Sequence, residues 1–475
     1  MRPESGSRRA FLGWGMAGSA AAVALPASGA PGPGAEGRDE TFQGKDYPVY
    51  CAHEHWGSIG PLMGPEGFRA DLEAGALPSR PVSVWDLVFD PYGGGWLRSE
   101  GVDWDAPARE AGKSDFFSWW GEAPEQALAS VTPALRRHRT TGVFQCTARG
   151  VELLHGERLE GLDCAAWSAA DRKVGEAYGA LCGWYRQAME KASLRNLIRP
   201  VHPEYYLRGM DTPAGREEAS FTRTVLRVEG FLDLWRERSP RREVLADAVG
   251  VDPVDAKSWR EFIGRVLDLA ARSGTVGIKQ LQAYSRSLDF QPREDDAVAF
   301  RGNLDAEQQR AFEDWVVHAC CAQANDRGWP FQCHVGTNNL AESSPLPLEP
   351  LARRYPRMAL VQLHCWPFAK EAGYLAKVIP NMHIDACWQP ILNPAFLRES
   401  LDTWLGYVPV SKLMFSNDAT SVEMAAGAAD ITRRAVWDAV SRRGGECGLG
   451  PEAVGETVKD MFHNNAARLY GGEPV

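Results

Sequence analysis

The chain has 475 residues, 24% charged, 44% hydrophobic and 10% aromatic, with a net charge of −10. That composition excludes disordered, collagen-like and disulfide-scaffold chains. An acidic chain without a long Lys/Arg run is also a poor partner for nucleic acid or an anionic membrane, because both demand clustered cations.

Residues 7–12 read Ser7-Arg8-Arg9-Ala10-Phe11-Leu12. A mild Gly/Ala stretch runs on to Leu25, then the small residues Pro26-Ala27-Ser28-Gly29-Ala30. Residues 1–30 therefore resemble a twin-arginine export signal, and a periplasmic or extracellular location is expected. The stretch is too short and too rich in Gly and Ala for a stable membrane anchor, and no other segment reaches about eighteen apolar residues. Twin-arginine export carries folded proteins, often after a cofactor has been inserted, which is a first hint of a metal. The cysteines would then fold reduced, so Cys51, Cys320, Cys321, Cys333, Cys365 and Cys387 read as small buried apolar residues. Residues 31–46, Pro- and Gly-rich and then charged, read as a flexible lead-in.

A strand-like run covers 47–51. Residues 57–190 read as irregular and hold Trp85, Trp96, Trp104, Trp119 and Trp120. Gly93-Gly94-Gly95 reads as a flexible loop on which no helix starts. Such an insertion either walls a pocket or packs its tryptophans on itself. Apolar runs follow at 196–201 and 222–232. Helical periods at 258–272, 305–327, 347–355, 369–378, 394–405, 422–443 and 451–469 alternate with strand-like runs at 274–281, 330–335, 358–363, 382–386 and 412–416. Alternation of this kind implies a parallel sheet, and about eight strands close it. The expected fold is α/β, a (β/α)8 TIM barrel over 47–475 with a long Trp-rich insertion after the first strand.

Each run ends in a residue of metal-ligand type. The first ends Ala52-His53-Glu54-His55; residues two apart in a strand share a face, so His53 and His55 can hold one metal while Glu54 points away. Later runs end in Gly277-Ile278-Lys279, Gln332-Cys333-His334, Gln362-Leu363-His364 and Ser416-Asn417-Asp418. The C-terminal face of a barrel is where its chemistry sits.

The set His53, His55, Lys279, His334, His364 and Asp418 resembles the amidohydrolase superfamily. Leu363-His364-Cys365-Trp366-Pro367-Phe368, Pro380-Asn381-Met382-His383-Ile384-Asp385 and Asn465-Ala466-Ala467-Arg468-Leu469-Tyr470 are similar to the amidohydrolase-2 group. With Ala283-Tyr284-Ser285-Arg286, they look closest to its FluG-type branch, found fused to glutamine-synthetase-like domains for which this chain has no room. The resemblance implies one or two divalent metals per chain, zinc first and manganese second, on His53, His55 and Asp418. Asp418 would also take a proton from water. His334 would be a further ligand or would support one. His364 would be a ligand, orient the substrate or act as acid-base. Lys279 would be carboxylated and bridge two metals, or would pair unmodified with a substrate carboxylate or Asp418.

Tyr284 and Arg286 follow the fourth strand, and Arg286 is placed to clamp a substrate carboxylate, or else is a surface arginine. Trp366 and Trp388 lie past strand ends and would wall the pocket. His202, Glu204, Arg227 and Glu229 follow earlier strands. The expected partner is a small molecule, carboxylated or aromatic; homo-oligomerisation is left open. Three readings compete. The first is a metal-dependent hydrolase of an amide, cyclic amide or ester. The second is a nonoxidative decarboxylase of an aromatic or unsaturated acid, or a uronate-isomerase-like enzyme, on the same site. The third is a noncatalytic binding protein on the barrel.

Overall fold

The computed structural model describes residues 42–57, 81–207 and 213–475. The export-signal residues, most of the lead-in and residues 58–80 of the expected insertion lie outside the described residues.

Among the described residues nine short strands appear: β1 Val49–Tyr50, β2 Leu194–Arg195, β3 Leu197–Val201, β4 Thr222–Arg227, β5 Thr275–Gln280, β6 Phe331–Gly336, β7 Leu360–Trp366, β8 Met382–Asp385 and β9 Leu413–Met414. β1 pairs with β2, and β3 to β9 form one sheet in chain order, every pair parallel. Asn196, at φ +52°, bends β2 into β3, so these two strands form one stave. Both edges then meet the first stave. Ile198 N donates to Cys51 O at 2.8 Å, and Asp418 N to His53 O at 2.9 Å. His55 N donates to Ala419 O at 2.9 Å. The sheet thus curls back on itself into a TIM-like α/β barrel.

Side-chain alternation divides the strands. On β6, Phe331, Cys333 and Val335 join the large apolar cluster shared with the helices Ala256–Arg272 and Ala306–Arg327. Gln332 and His334 therefore face the interior. A smaller cluster joins Tyr50, Ala52, Ile198, Val225, Val361, Leu363, Met414 and Tyr470. These come from staves on opposite sides, so they fill the barrel below its C-terminal mouth. The outer helices carry their own start and stop signals. Asp305 caps Ala306–Arg327 in a reciprocal box with Gln308, and Gly328, at φ +65°, ends it. Trp259, Phe262, Ile263, Val266 and Leu267 make the buried stripe of Ala256–Arg272.

Residues 81–190 correct the irregular reading. Among the described residues eight helices fall between β1 and β2, from Val84–Val88 to Leu181–Lys191. Ser83, Asp115, Thr141 and Asp163 cap four of them. Val84–Val88, Gly93–Ser99, Asp105–Glu110 and Phe116–Glu122 are too short to show a period, whereas the longer Pro124–His138, Gly142–His155 and Cys164–Gly179 carry one that the irregular reading passed over. Helix Gly93–Ser99 does start on the triple glycine. Asp90 accepts from Gly93 N at 2.6 Å, and a Cβ at Gly93 would lie 2.0 Å from Val88 O, so only glycine fits that start. The tryptophans pack on one another. Trp85 stacks on Trp167 at 4.4 Å and meets Trp120 edge-on at 5.2 Å; Trp104 stacks on Phe89 at 4.6 Å. Helix Gly142–His155 runs close against Val422–Cys447. A Cβ at Gly427 would lie 1.8 Å from Cys146 O, and one at Gly150 1.7 Å from Glu423 O.

Candidate metal centre

Every strand end named from the sequence delivers its side chain to the same mouth of the barrel. His53 and His55 follow β1, Lys279 sits near the end of β5, His334 on β6, His364 on β7, and Asp418 just after β9. Backbone conformation aims several of them. Thr337, His364, Cys365, Trp388 and Asp418 all adopt left-handed φ between +54° and +67°. Such residues cost on the order of 1 kcal/mol or more each, and they cluster where a site over-determines them.

His53 shows how the site is wired. Gln332 Nε2 donates to Ala52 O at 2.7 Å and approaches Tyr470 Oη at 3.0 Å. Its Oε1 is therefore left to accept from His53 Nδ1 at 2.8 Å. That fixes the tautomer and leaves the lone pair on Nε2. His53 Nε2 is buried, has no hydrogen-bond partner, and lies 3.7 Å from Asp418 Oδ1. His55 Nε2 lies 3.1 Å from the same oxygen, and His364 Nδ1 3.4 Å from Asp418 Oδ2. One donor atom each of His53, His55 and Asp418 falls within 4.8 Å of the others; His364, Cys387 and Asp418 form a second such trio. An orphaned buried imidazole nitrogen facing a carboxylate is the donor set of a divalent cation.

Burial disfavours the charged form of the imidazoles. It pushes His53 and His334 well below the usual histidine range, His55 down, and His364 to about 4. Burial works to raise the Asp418 carboxyl, but His53, His55 and His364 outweigh it and hold it below the usual carboxylate range. Glu54 points to the other side, because the tight turn in which Ala52 N donates to Tyr50 O resets the alternation after β1. Its carboxylate accepts from Asn417 N at 3.1 Å, Asn417 Nδ2 at 2.8 Å, Ala419 N at 3.1 Å and Trp56 Nε1 at 3.0 Å. It grips the chain on both sides of Asp418, and burial raises its carboxyl to about 8.

His364 Nε2 and His334 Nδ1 stand 2.9 Å apart, and His334 Nε2 meets Thr337 Oγ1 at 2.5 Å. Three rings wall this pair. Tyr284 lies 4.6 Å from the His334 ring, Trp388 lies 5.3 Å from His364, and Tyr92 lies 4.7 Å from Trp388. Lys279 is buried, and its register partner on β4 is Arg227. Burial, with the Arg227 charge, pushes its amine down to about 8.

Arg286 corrects an expectation. It is 7% exposed and donates to Glu313 at 2.9 Å, Asp314 at 2.6 Å, Asp289 O at 3.1 Å and Ser287 O at 3.2 Å. These four bonds take all but one of its five N–H donors and fasten the loop after β5 onto helix Ala306–Arg327, so the buried guanidinium serves the fold rather than a substrate carboxylate. Trp366 accepts from Thr337 N at 2.8 Å through its carbonyl; among the described residues no aromatic contact joins its ring to the site histidines. Sequence reasoning missed three residues. Gln332 was findable, two positions before His334 on the same face. Cys387 had been read as plain apolar filling, yet its Sγ lies 3.3 Å from His364 Nδ1. Tyr92, whose hydroxyl donates to Asp418 Oδ1 at 3.2 Å, comes from the aperiodic segment and carries no sequence signal.

Known proteins fit this picture. The chain is 28% identical over 243 residues to protein fluG of Emericella nidulans; the match spans 43% of this chain and 27% of that protein. A uronate isomerase of Bacillus halodurans shares the fold at TM-score 0.62 and 16% identity, covering 91% of this chain and 95% of its own. A glucuronate isomerase of Caulobacter crescentus does so at 0.66 and 17%, covering 90% and 93%. Residues 203–472, more than half of the chain and including Lys279, His334, His364 and Asp418, match the amidohydrolase sequence profile. With His53 and His55 completing the donor set from the first stave, the chain belongs to the amidohydrolase family.

Proposed function

We propose that the protein is a metal-dependent hydrolase that opens an amide, cyclic amide or ester bond with water. The observation that carries this reading is the buried, unpartnered Nε2 of His53, held toward Asp418 by Gln332. Two imidazoles and a carboxylate suit zinc first and manganese second. A divalent ion held by them supplies Lewis acidity and a water of lowered pKa.

The side chains do the rest. His55 and Tyr92 both engage Asp418 Oδ1, which leaves Oδ2 to accept the proton of the attacking water. His364 Nδ1, which donates to Cys387 O at 3.1 Å, also turns its N–H toward Asp418 Oδ2 at 3.4 Å and orients that carboxylate, which then passes the proton to the leaving group. A C–O bond forms, the C–N or C–O bond breaks, and the leaving nitrogen or oxygen takes the proton. Tyr92, Tyr284 and Trp388 form a wall for a planar substrate, and Trp388 Nε1, buried without a partner, offers it a donor. In this reading Lys279 keeps its amine and residues 1–30 direct export.

A second reading carboxylates Lys279 and adds a second ion. Its support is the amine pushed down to about 8, since only free amine reacts with carbon dioxide, and the convergence of His334 Nδ1 and His364 Nε2. Metals per chain, by elemental analysis with and without bicarbonate, separate the two. Near one, lost in His53→Ala and kept in Lys279→Ala, supports the first. Near two, falling in Lys279→Ala, supports the second. Release of amine or alcohol from an amide and ester panel tests hydrolysis itself. Carbon dioxide release without water uptake, or isomerisation, would replace it with the decarboxylase or isomerase chemistry open to the same donors.

A further inference from the structure

The metal-ligating atoms account for one side of the barrel mouth. On the strands between them, two cations lie next to each other. Arg227 ends β4 and Lys279 is its register partner on β5. The Lys279 side chain is 1% exposed, and that of Arg227 12%. Both face the site. The Lys279 charge bears on His53, His55, His202, His334 and His364, and the Arg227 charge on His55, His202 and Tyr284.

Their partners do not balance them. Glu229 Oε1 accepts from Arg227 Nε at 3.1 Å, which turns the two terminal nitrogens of the guanidinium away from Glu229. Arg227 and Glu229 cancel in charge. Among the described residues no carboxylate stands within ion-pair distance of Lys279. Asp418 is committed to the histidines. Lys279 thus stands buried beside the donor trio without a carboxylate of its own at ion-pair distance, a place that suits an incoming anion.

We propose that Arg227 and Lys279 form a subsite for the carboxylate of the substrate, with Glu229 positioning the guanidinium. The subsite rests on the reading of this mouth as a substrate pocket, and makes that substrate a carboxylic acid whose scissile bond lies toward His53, His55 and Asp418. A planar, singly charged carboxylate matches a fork and an adjacent point charge; a phosphate dianion would overcharge the site.

The test uses the metal-loaded protein and three probes of one shape: benzoate, benzamide and phenyl phosphate. Affinities come from calorimetry, and metal content is measured on every sample. Benzoate is expected to bind at least about tenfold tighter than benzamide. Arg227→Gln and Lys279→Met should each weaken benzoate by about 10- to 100-fold, leaving benzamide and metal content unchanged. Arg227→Lys, which keeps the charge and loses the fork, should fall between. Equal losses for benzoate and benzamide would overturn the subsite. So would tighter binding of phenyl phosphate, or a bicarbonate-dependent loss of metal in Lys279→Met. If the benzoate pattern holds while no amide or ester turns over, hydrolysis fails and the subsite stands.

Discussion

The C-terminal staves and the helical segment between β1 and β2 contribute to the same mouth by different means. β5, β6 and β7 each deliver a polar side chain near the C-terminal end, and Asp418 follows on the loop after β9. The helices of residues 84–191 deliver Tyr92 only through their packing on one another and on helix Val422–Cys447. A regular scaffold writes its site into strand register; an irregular one writes it into contacts between distant residues.

Replacing a ligand should break the strand-borne side most severely. Asp418→Asn removes an anionic donor and the proton acceptor together. Hydrolysis should fall by about a thousandfold or more, with metal content near zero by elemental analysis. If Asp418→Asn keeps its metal, the donor trio is wrong.

Gln332→Leu should follow, because His53 then loses the partner that fixes its tautomer. Metal affinity should drop by about 10- to 100-fold in a chelator competition. A change confined to thermal stability would reduce Gln332 to packing.

Gly427→Ala attacks the helical side instead. The new Cβ meets Cys146 O, so the two helices must separate, at a cost of about 1–3 kcal/mol in chemical denaturation. Activity should fall more than metal content, since Tyr92 moves and the donor trio does not.

Tyr92→Phe isolates the link between the two sides. It keeps the ring against Trp388 and loses the hydroxyl on Asp418. Turnover should fall by about tenfold, with metal content unchanged.

An effect on stability alone, with none expected on turnover, lies on the strands away from the mouth. Burial pushes His383 down to about 4, below the value near 6.5 of an unfolded chain. The unfolded state then binds more protons between those values. Stability is complete above about pH 6.5 and is lost as pH falls toward 4. His383→Asn should flatten that loss by about 3 kcal/mol in denaturation series run against pH.

Much of the barrel was legible because its signals are local. Strand-helix alternation from residue 196 onward matches β3 to β9, and helix Ala369–Val378 falls where its period places it. The mouth residues were legible because strand ends carry chemistry on this architecture. Arg286 misled because a loop arginine near a strand end looks alike whether it faces a ligand or an Asp314 on the next helix. In residues 84–191 the first four helices misled because five to seven residues show no clean period, and the longer helices after residue 124 were legible by period but were passed over beside them.

The sequence by itself determined the alternating architecture, the donor types and their strand-end positions, since these follow from periodicity and residue chemistry. Only the tertiary structure decided which nitrogen of His53 is free, that Glu54 holds the Asp418 turn, that Tyr92 reaches the carboxylate and that Arg227 stands beside Lys279. Each of these depends on atoms brought together from distant stretches of chain, and closing the sheet is what brings them within reach.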